Sequence, residues 1–287
     1  MPSVLITGTS SGLGRETALT LGRAGHTVYA TMRNPSRAPE LAQKAGKEGL
    51  PIRILTMDVD SDSSVKGAVA DIYQEGGEID ALVNNAGLFR EGSVEELPLA
   101  EFRAVMETNY FGAIRCIQAV VPSMRRRKSG CIINISSVAG RVATSPMAPY
   151  TASKFALEAL SEALAQEMKT FNVRVAIVEP GIIDTPMARS LEAPQSESVY
   201  TQQQRLAQLF AASLREPAQP SLVAEKVLHI IESGTWKLRH PVGPDAESTI
   251  AWRMAMSDEE YVDVNADDDT WYARMERDFG ASLRPGS

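Results

Sequence analysis

The chain is poor in residues that cross-link or bind metals. It has two cysteines, Cys116 and Cys131, and three histidines, His26, His229 and His240, in 287 residues. Two cysteines cannot staple a fold of this size, so a reducing, cytoplasmic compartment is expected. The histidines are too scattered to suggest a metal site, and none is expected. Basic charge is not in excess either: 29 Lys and Arg face 36 Asp and Glu, a formal net charge of −7. That balance argues against nucleic acid as a partner. Long apolar runs are also missing. The least polar long window, residues 113–121, contains Arg115 and stops at Pro122, well short of the roughly 18–20 residues of a membrane span. The N-terminus runs from Met1-Pro2 directly into Ser3-Val4-Leu5-Ile6-Thr7-Gly8, without the charged-then-apolar layout of a secretory signal. What is present is a 44% hydrophobic share, ample for a globular core.

Short apolar runs at 4–7, 27–31, 52–57, 81–84, 131–135 and 173–178 read as continuous Val, Ile and Leu. Strands covered on both faces have that composition. Helical periods occupy 12–24, 61–75, 99–124 and 150–170; in the last, Leu157, Leu160, Leu164 and Met168 share one face. Strand and helix in alternation predict an α/β protein with a parallel sheet and helices on both faces. The whole chain, 1–287, reads as one domain. The alternation lapses over 186–220, a segment read as a mobile substrate lid, with a helix pair covering the sheet edge as the plainer account. Helical period returns at Val223, Val227 and Ile231, before a strand candidate around 236–242. The tail, 244–287, is expected to form surface helices or to fray. Its Asp267-Asp268-Asp269 triplet reads as solvated surface, and Arg125-Arg126-Arg127-Lys128 as the C-terminal cap of a helix.

Gly8, Gly12 and Gly14 follow the first strand and open the first helix, within Thr7-Gly8-Thr9-Ser10-Ser11-Gly12-Leu13-Gly14. A loop so placed aims backbone N–H groups and a helix dipole at an anion. Its position in an alternating chain points to a nucleotide. No Gly-Lys-Ser/Thr follows, which disfavours phosphate transfer. A carboxylate ending the second strand would bind the ribose 2′-hydroxyl of NAD. Here Val28-Tyr29-Ala30-Thr31-Met32-Arg33 offers a guanidinium, and no acid appears before Glu40. Arg33 is either an exposed loop cation or a partner for a 2′-phosphate. The cofactor expected is NADP(H), with NAD(H) possible.

Tyr150 and Lys154 stand one helical turn apart, so their side chains share a face. A free phenol, with a pKa near ~10, is a poor acid or base at neutral pH. A neighbouring ammonium is expected to lower that value toward the range proton transfer needs. Ser137, at the end of a strand, can donate to a carbonyl oxygen beside the nucleotide crevice. Asn109 sits mid-helix, where an amide has poor propensity and no evident capping task.

Together, Thr7-Gly8-x-x-x-Gly12-x-Gly14, Asn84-Asn85-Ala86-Gly87, Asn109, Ser137, Tyr150-x-x-x-Lys154 and Pro180-Gly181 resemble, in order and spacing, the short-chain dehydrogenase/reductase family. The resemblance spans about residues 3–185 and extends loosely to 243. It implies a single-domain Rossmann fold with seven parallel strands, and oxidation of secondary alcohols or reduction of ketones with a nicotinamide cofactor. In that likeness Tyr150 is the acid/base, while Lys154 holds the nicotinamide ribose and depresses the Tyr150 pKa. Ser137 polarises the carbonyl, and Asn109 supports a water linking Lys154 to solvent. Ser10, Ser11 and Leu13 join the glycines around the phosphates. Asp58 and Val59 meet the adenine, and Asn85, Ala86 and Gly87 line the cofactor. Pro180, Gly181, Ile183 and Thr185 lie along the carboxamide. Residues 28–33 resemble the NADP-preferring branch that includes mammalian 17β-hydroxysteroid and retinol dehydrogenases, which suggests a small lipophilic alcohol, ketone or aldehyde. Family analogy also suggests a homodimer or homotetramer through the helices at 99–124 and 150–170.

The expected substrate pocket lies between Ser137, Tyr150 and the segment after Thr185, walled by Leu88, Phe89, Val138, Met147, Met187, Leu191, Leu209 and Phe210. Two other readings compete with this one. A non-catalytic NADP(H)-binding redox sensor is countered by the intact Ser137, Tyr150 and Lys154. A sugar-nucleotide epimerase or dehydratase is countered by the spacing of Gly8, Gly12 and Gly14.

Overall fold

Seven parallel strands form the middle layer of the computed structural model, which describes residues 1–193, 197–280 and 283. They are β1 (Ser3–Thr7), β2 (Thr27–Met32), β3 (Ile52–Thr56), β4 (Ala81–Asn84), β5 (Gly130–Ile135), β6 (Val173–Pro180) and β7 (Arg239–Val242). Their spatial order is β3-β2-β1-β4-β5-β6-β7, as in a Rossmann fold. Side chains alternate across the sheet, so β1 sends Val4 and Ile6 to one face and Leu5 to the other. Val4 and Ile6 pack with Leu19 and Leu21 of α1 (Gly12–Arg23) and with Val223, Val227 and Ile230 of α9 (Pro220–Ser233). Leu5 belongs to the core built by α3 (Asp62–Gln74), α5 (Gly112–Arg127) and α6 (Ala148–Lys169). Both faces being covered accounts for the continuous apolar runs.

The strands fall where the apolar runs place them, and the basic run ends α5 with Lys128 in the left-handed cap position. Two features differ from expectation. Helix α2 (Glu40–Glu48) buries only Leu41 and Ala45, too little apolar period to read from sequence. The segment 99–124 is not one helix. It is α4 (Leu99–Met106), a π-helical turn (Glu107–Phe111) and α5, which continues through Pro122 to Arg127. Residues 186–220 hold α7 (Pro186–Arg189) and α8 (Gln202–Ser213); the lid expectation also covers 194–196, which lie outside the described residues.

The tail is helical, as expected. It forms α10 (Ala246–Met254), α11 (Asp258–Ala266) and α12 (Asp268–Phe279), with 281–282 and 284–287 outside the described residues. These helices do not fray over the surface. Trp271, Tyr272, Met275 and Leu283 are buried against Leu209, Ala212 and Trp252, and Val142 packs with Met256 and Tyr261. Two residues of the acidic triplet have structural tasks: Asp267 caps α12 by accepting from Thr270 N at 2.8 Å, and Asp268 pairs with the buried Arg205 at 3.1 Å.

A buried polar chain ties the sheet to α6. Asn84 Nδ2 donates to Asn134 Oδ1 at 2.8 Å, and Asn134 Nδ2 donates to Ser161 Oγ at 2.8 Å. Removing the middle member strands a donor and an acceptor without water. Asn134→Leu is therefore expected to lower the unfolding free energy by about 1–3 kcal/mol in chemical denaturation.

Candidate active site

The first loop is locked to the fourth. Thr7 Oγ1 accepts from Asn85 N at 3.0 Å and from Ala86 N at 2.9 Å. Asn85 Nδ2 in turn donates to Thr7 O at 2.8 Å and Gly8 O at 3.0 Å. Gly8 holds φ of +69°, and a Cβ there would strike the Ala86 backbone. A Cβ at Gly14 would collide with Gly8 O and Asn85 Nδ2. Helix α1 opens here, and its N-cap Ser11 makes no side-chain cap bond. The first-turn N–H groups, which have no intrahelical acceptor, are thus left to an anion at the mouth of the helix. These residues fit a dinucleotide pyrophosphate.

Ser137 follows β5 and caps the short turn Val138–Gly140, accepting from Ala139 N at 3.1 Å. Its hydroxyl donates to Pro180 O at 3.4 Å and lines the same cavity as Tyr150. Tyr150 occupies the first turn of α6, where Pro149 starts the helix, and the Phe89 ring packs 5.0 Å from its own. One turn on, Lys154 is buried; its Nζ donates to Ile135 O at 2.8 Å and lies 5.5 Å from the Tyr150 ring centroid.

Burial pushes the Tyr150 phenol up to about 12, opposed by its hydrogen bond with Ser137. The same burial pulls the Lys154 ammonium down to about 8, opposed by the Glu158 carboxylate. The Lys154 ammonium is aimed at the Ile135 carbonyl, over the face of the Tyr150 ring.

One cavity of about 770 Å³ unites these groups. Gly8, Ser10, Ser11, Gly12, Leu13 and Gly14 line one part of it, Arg33, Asp58 and Val59 the mouth of β2 and β3, and Asn85, Ala86 and Gly87 the loop after β4. Ser137, Tyr150 and Lys154 face the same space as Pro180, Gly181, Ile183 and Thr185. Phe89, Val138, Met147, Met187, Leu191, Leu209 and Phe210 contribute walls. Leu88 and Asn109 do not line it. Asn109 is held in the π-helical turn, where Oδ1 accepts from Leu88 N at 2.7 Å. Its Nδ2 donates to Leu88 O and to Ser153 Oγ, both at 2.9 Å. Asn109 thus fastens the β4 loop to α6, rather than facing the reaction space.

Sequence reasoning missed the contribution of the tail. Trp252, Trp271, Met275 and Phe279 line the cavity, as does Arg205. Asp245, at the start of α10, packs its carboxylate on Gly181 and accepts from Ile182 N at 2.9 Å. The clustering of aromatic residues at 252–279 was the available signal.

Residues 2–196 match the family model described as short chain dehydrogenase. The chain belongs to the short-chain dehydrogenase family. It is 36% identical over 245 residues to a 3-ketodihydrosphingosine reductase of Bacteroides thetaiotaomicron, covering 84% of this chain and 87% of that one. To retinol dehydrogenase 8 of Bos taurus it is 41% identical, over 69% of this chain and 63% of that enzyme. An actinorhodin polyketide ketoreductase solved with NADPH superposes with a TM-score of 0.77 at 30% identity, over 85% of this chain and 96% of that one. The short-chain dehydrogenase described here is thus an oxidoreductase acting on CH–OH groups with a nicotinamide cofactor. Among the described residues, no helix is long and apolar enough to cross a membrane.

If Gly8 shapes the phosphate floor as its φ indicates, Gly8→Ala is expected to weaken NADPH binding at least tenfold. Fluorescence titration would measure this, with circular dichroism reporting the fold.

Proposed function

We propose that this enzyme interconverts a secondary alcohol and a ketone, or an aldehyde, of a small lipophilic substrate, using NADP(H). The observation that carries the reading is that Ser137, Tyr150 and Lys154 line the same cavity as the glycine loop. When bound, the nicotinamide supplies or accepts the two reducing electrons. Reduction then needs one proton at the substrate oxygen, and Tyr150 donates it; oxidation runs the transfer in reverse. Ser137 donates a hydrogen bond to that same oxygen, favouring the charge that develops there. Lys154 holds the ribose with its ammonium, and that positive charge stabilises the Tyr150 phenolate once the proton has left.

Arg33 is exposed at the end of β2 and lines the cavity, and its guanidinium suits a 2′-phosphate. The relatives are named for a ketodihydrosphingosine and a retinol, and the aliphatic and aromatic walls here suit a lipophilic substrate of that kind. Phe111, at the end of the π-helical turn that leads into α5, and Phe155 on α6 are exposed, which supports pairing of two copies through this region. The buried, unpaired Cys116 and Cys131 suit a cytoplasmic protein.

Tyr150→Phe is expected to lower kcat about 10²–10⁴-fold in a screen of ketones and secondary alcohols, with NADPH binding retained. Full turnover by this variant would refute the assigned role. Arg33→Asp is expected to weaken NADPH relative to NADH at least tenfold; an unchanged ratio of dissociation constants would refute the 2′-phosphate assignment.

A further inference from the structure

Beneath Lys154 lies a buried group of charges with no part in the chemistry derived so far. Glu158 follows Lys154 by one turn on α6, so the two side chains share a face. Both are almost wholly buried, as is Glu179 on β6. Arg239 of β7 bridges the carboxylates, with Nε 3.0 Å from Glu158 Oε2 and 3.5 Å from Glu179 Oε1. Arg141, after the turn Val138–Gly140, reaches Glu179 Oε1 at 3.2 Å. Glu162, another turn along α6 and half exposed, pairs with Arg239 Nη2 at 2.5 Å. Toward the cavity, a Cβ on Gly140 would touch both Ser136 Oγ and Glu158 Oε1, and Ser136 lines the cavity with Lys154.

The charges do not balance without the active site. Glu158, Glu179 and Glu162 carry three negative charges when ionised, whereas Arg141 and Arg239 supply two positive ones. Lys154 is the sixth member, and its proton makes the set neutral. A lone buried ammonium tends to shed its proton, and a buried carboxylate one turn away opposes that tendency.

We propose that Glu158 is a positioning residue for the reaction, the buried counter-charge that keeps Lys154 an ammonium and so preserves its grip on the ribose at working pH. The inference rests on the role proposed for Lys154 above. The direction of the Lys154 shift agrees with it: burial lowers the ammonium and Glu158 is the group that raises it. Replacing Glu158 by a neutral side chain removes the opposing charge, so Lys154 loses its proton at a lower pH.

The test is NADPH affinity against pH, from 7 to 10, by fluorescence titration of the full chain in a Tyr150→Phe background, which removes the phenol from the titration. Affinity in the parent falls above the pH at which Lys154 deprotonates. Glu158→Gln and Glu158→Ser are both expected to move that midpoint down by about one pH unit. Glu158→Asp, which keeps the charge, stays near the parent, and so does Glu162→Gln on the solvent side of the same arginine. A purely structural role would not separate the neutral variants from Glu158→Asp in this way. Coincident midpoints in the parent and the folded neutral variants would overturn the inference alone. A parent whose affinity shows no midpoint in this range would overturn the role of Lys154 and this inference with it.

Discussion

The junction of β1 with β4 is the constraint on which the site depends. These neighbouring strands stand where the sheet order reverses direction, so the chain leaves them toward opposite faces and a crevice opens at their carboxyl ends. The Thr7 hydroxyl and the Asn85 amide close that crevice at its base with four hydrogen bonds to backbone. Because the two loops are fixed to each other, the glycines after β1 are presented at a set height above the sheet. Ser137 after β5 and Pro180 at the end of β6 then project into the same space. Asn109 extends this logic: it bonds the loop after β4 to Ser153 on the helix that carries Tyr150 and Lys154.

Burial acts on Tyr150 and Lys154 in opposite senses, favouring the neutral form of each. A phenol that holds its proton and an ammonium that tends to lose one form a pair in which neither charge is cheap. Hydrogen bonding by Ser137 and the field of Glu158 each counter one half of that penalty. The proton balance of the site is therefore distributed over four side chains, drawn from α6 and from the turn after β5.

Much of the architecture was legible because its signals are local. Runs such as Leu82-Val83 and Ile132-Ile133 announce strands buried on both faces, and the glycine spacing after β1 announces a turn that a side chain cannot occupy. Tyr150 and Lys154 declare their common face by separation alone. Less was legible where the deciding contact is distant in sequence. Helix α2 has too few inward residues to show a period. Asn109 resembles a misplaced amide until its partners at Leu88 and Ser153 are seen. The Glu158 group depends on arginines from two other elements. Separation alone gives Tyr150 and Lys154 their proximity, whereas the direction of the Lys154 amine follows from a backbone oxygen on β5.

Helices α10 to α12 bring the aromatic side chains Trp252, Trp271 and Phe279 to the wall of the cavity. Ser137, Tyr150 and Lys154 line the same cavity from the turn after β5 and from α6. The two stretches touch directly as well as across the cavity, for Tyr261 donates to Ala143 O at 2.7 Å and packs on Val142. Exchanging Trp271 or Phe279 for other shapes can redraw the set of molecules admitted while leaving the acid–base apparatus and its supports untouched.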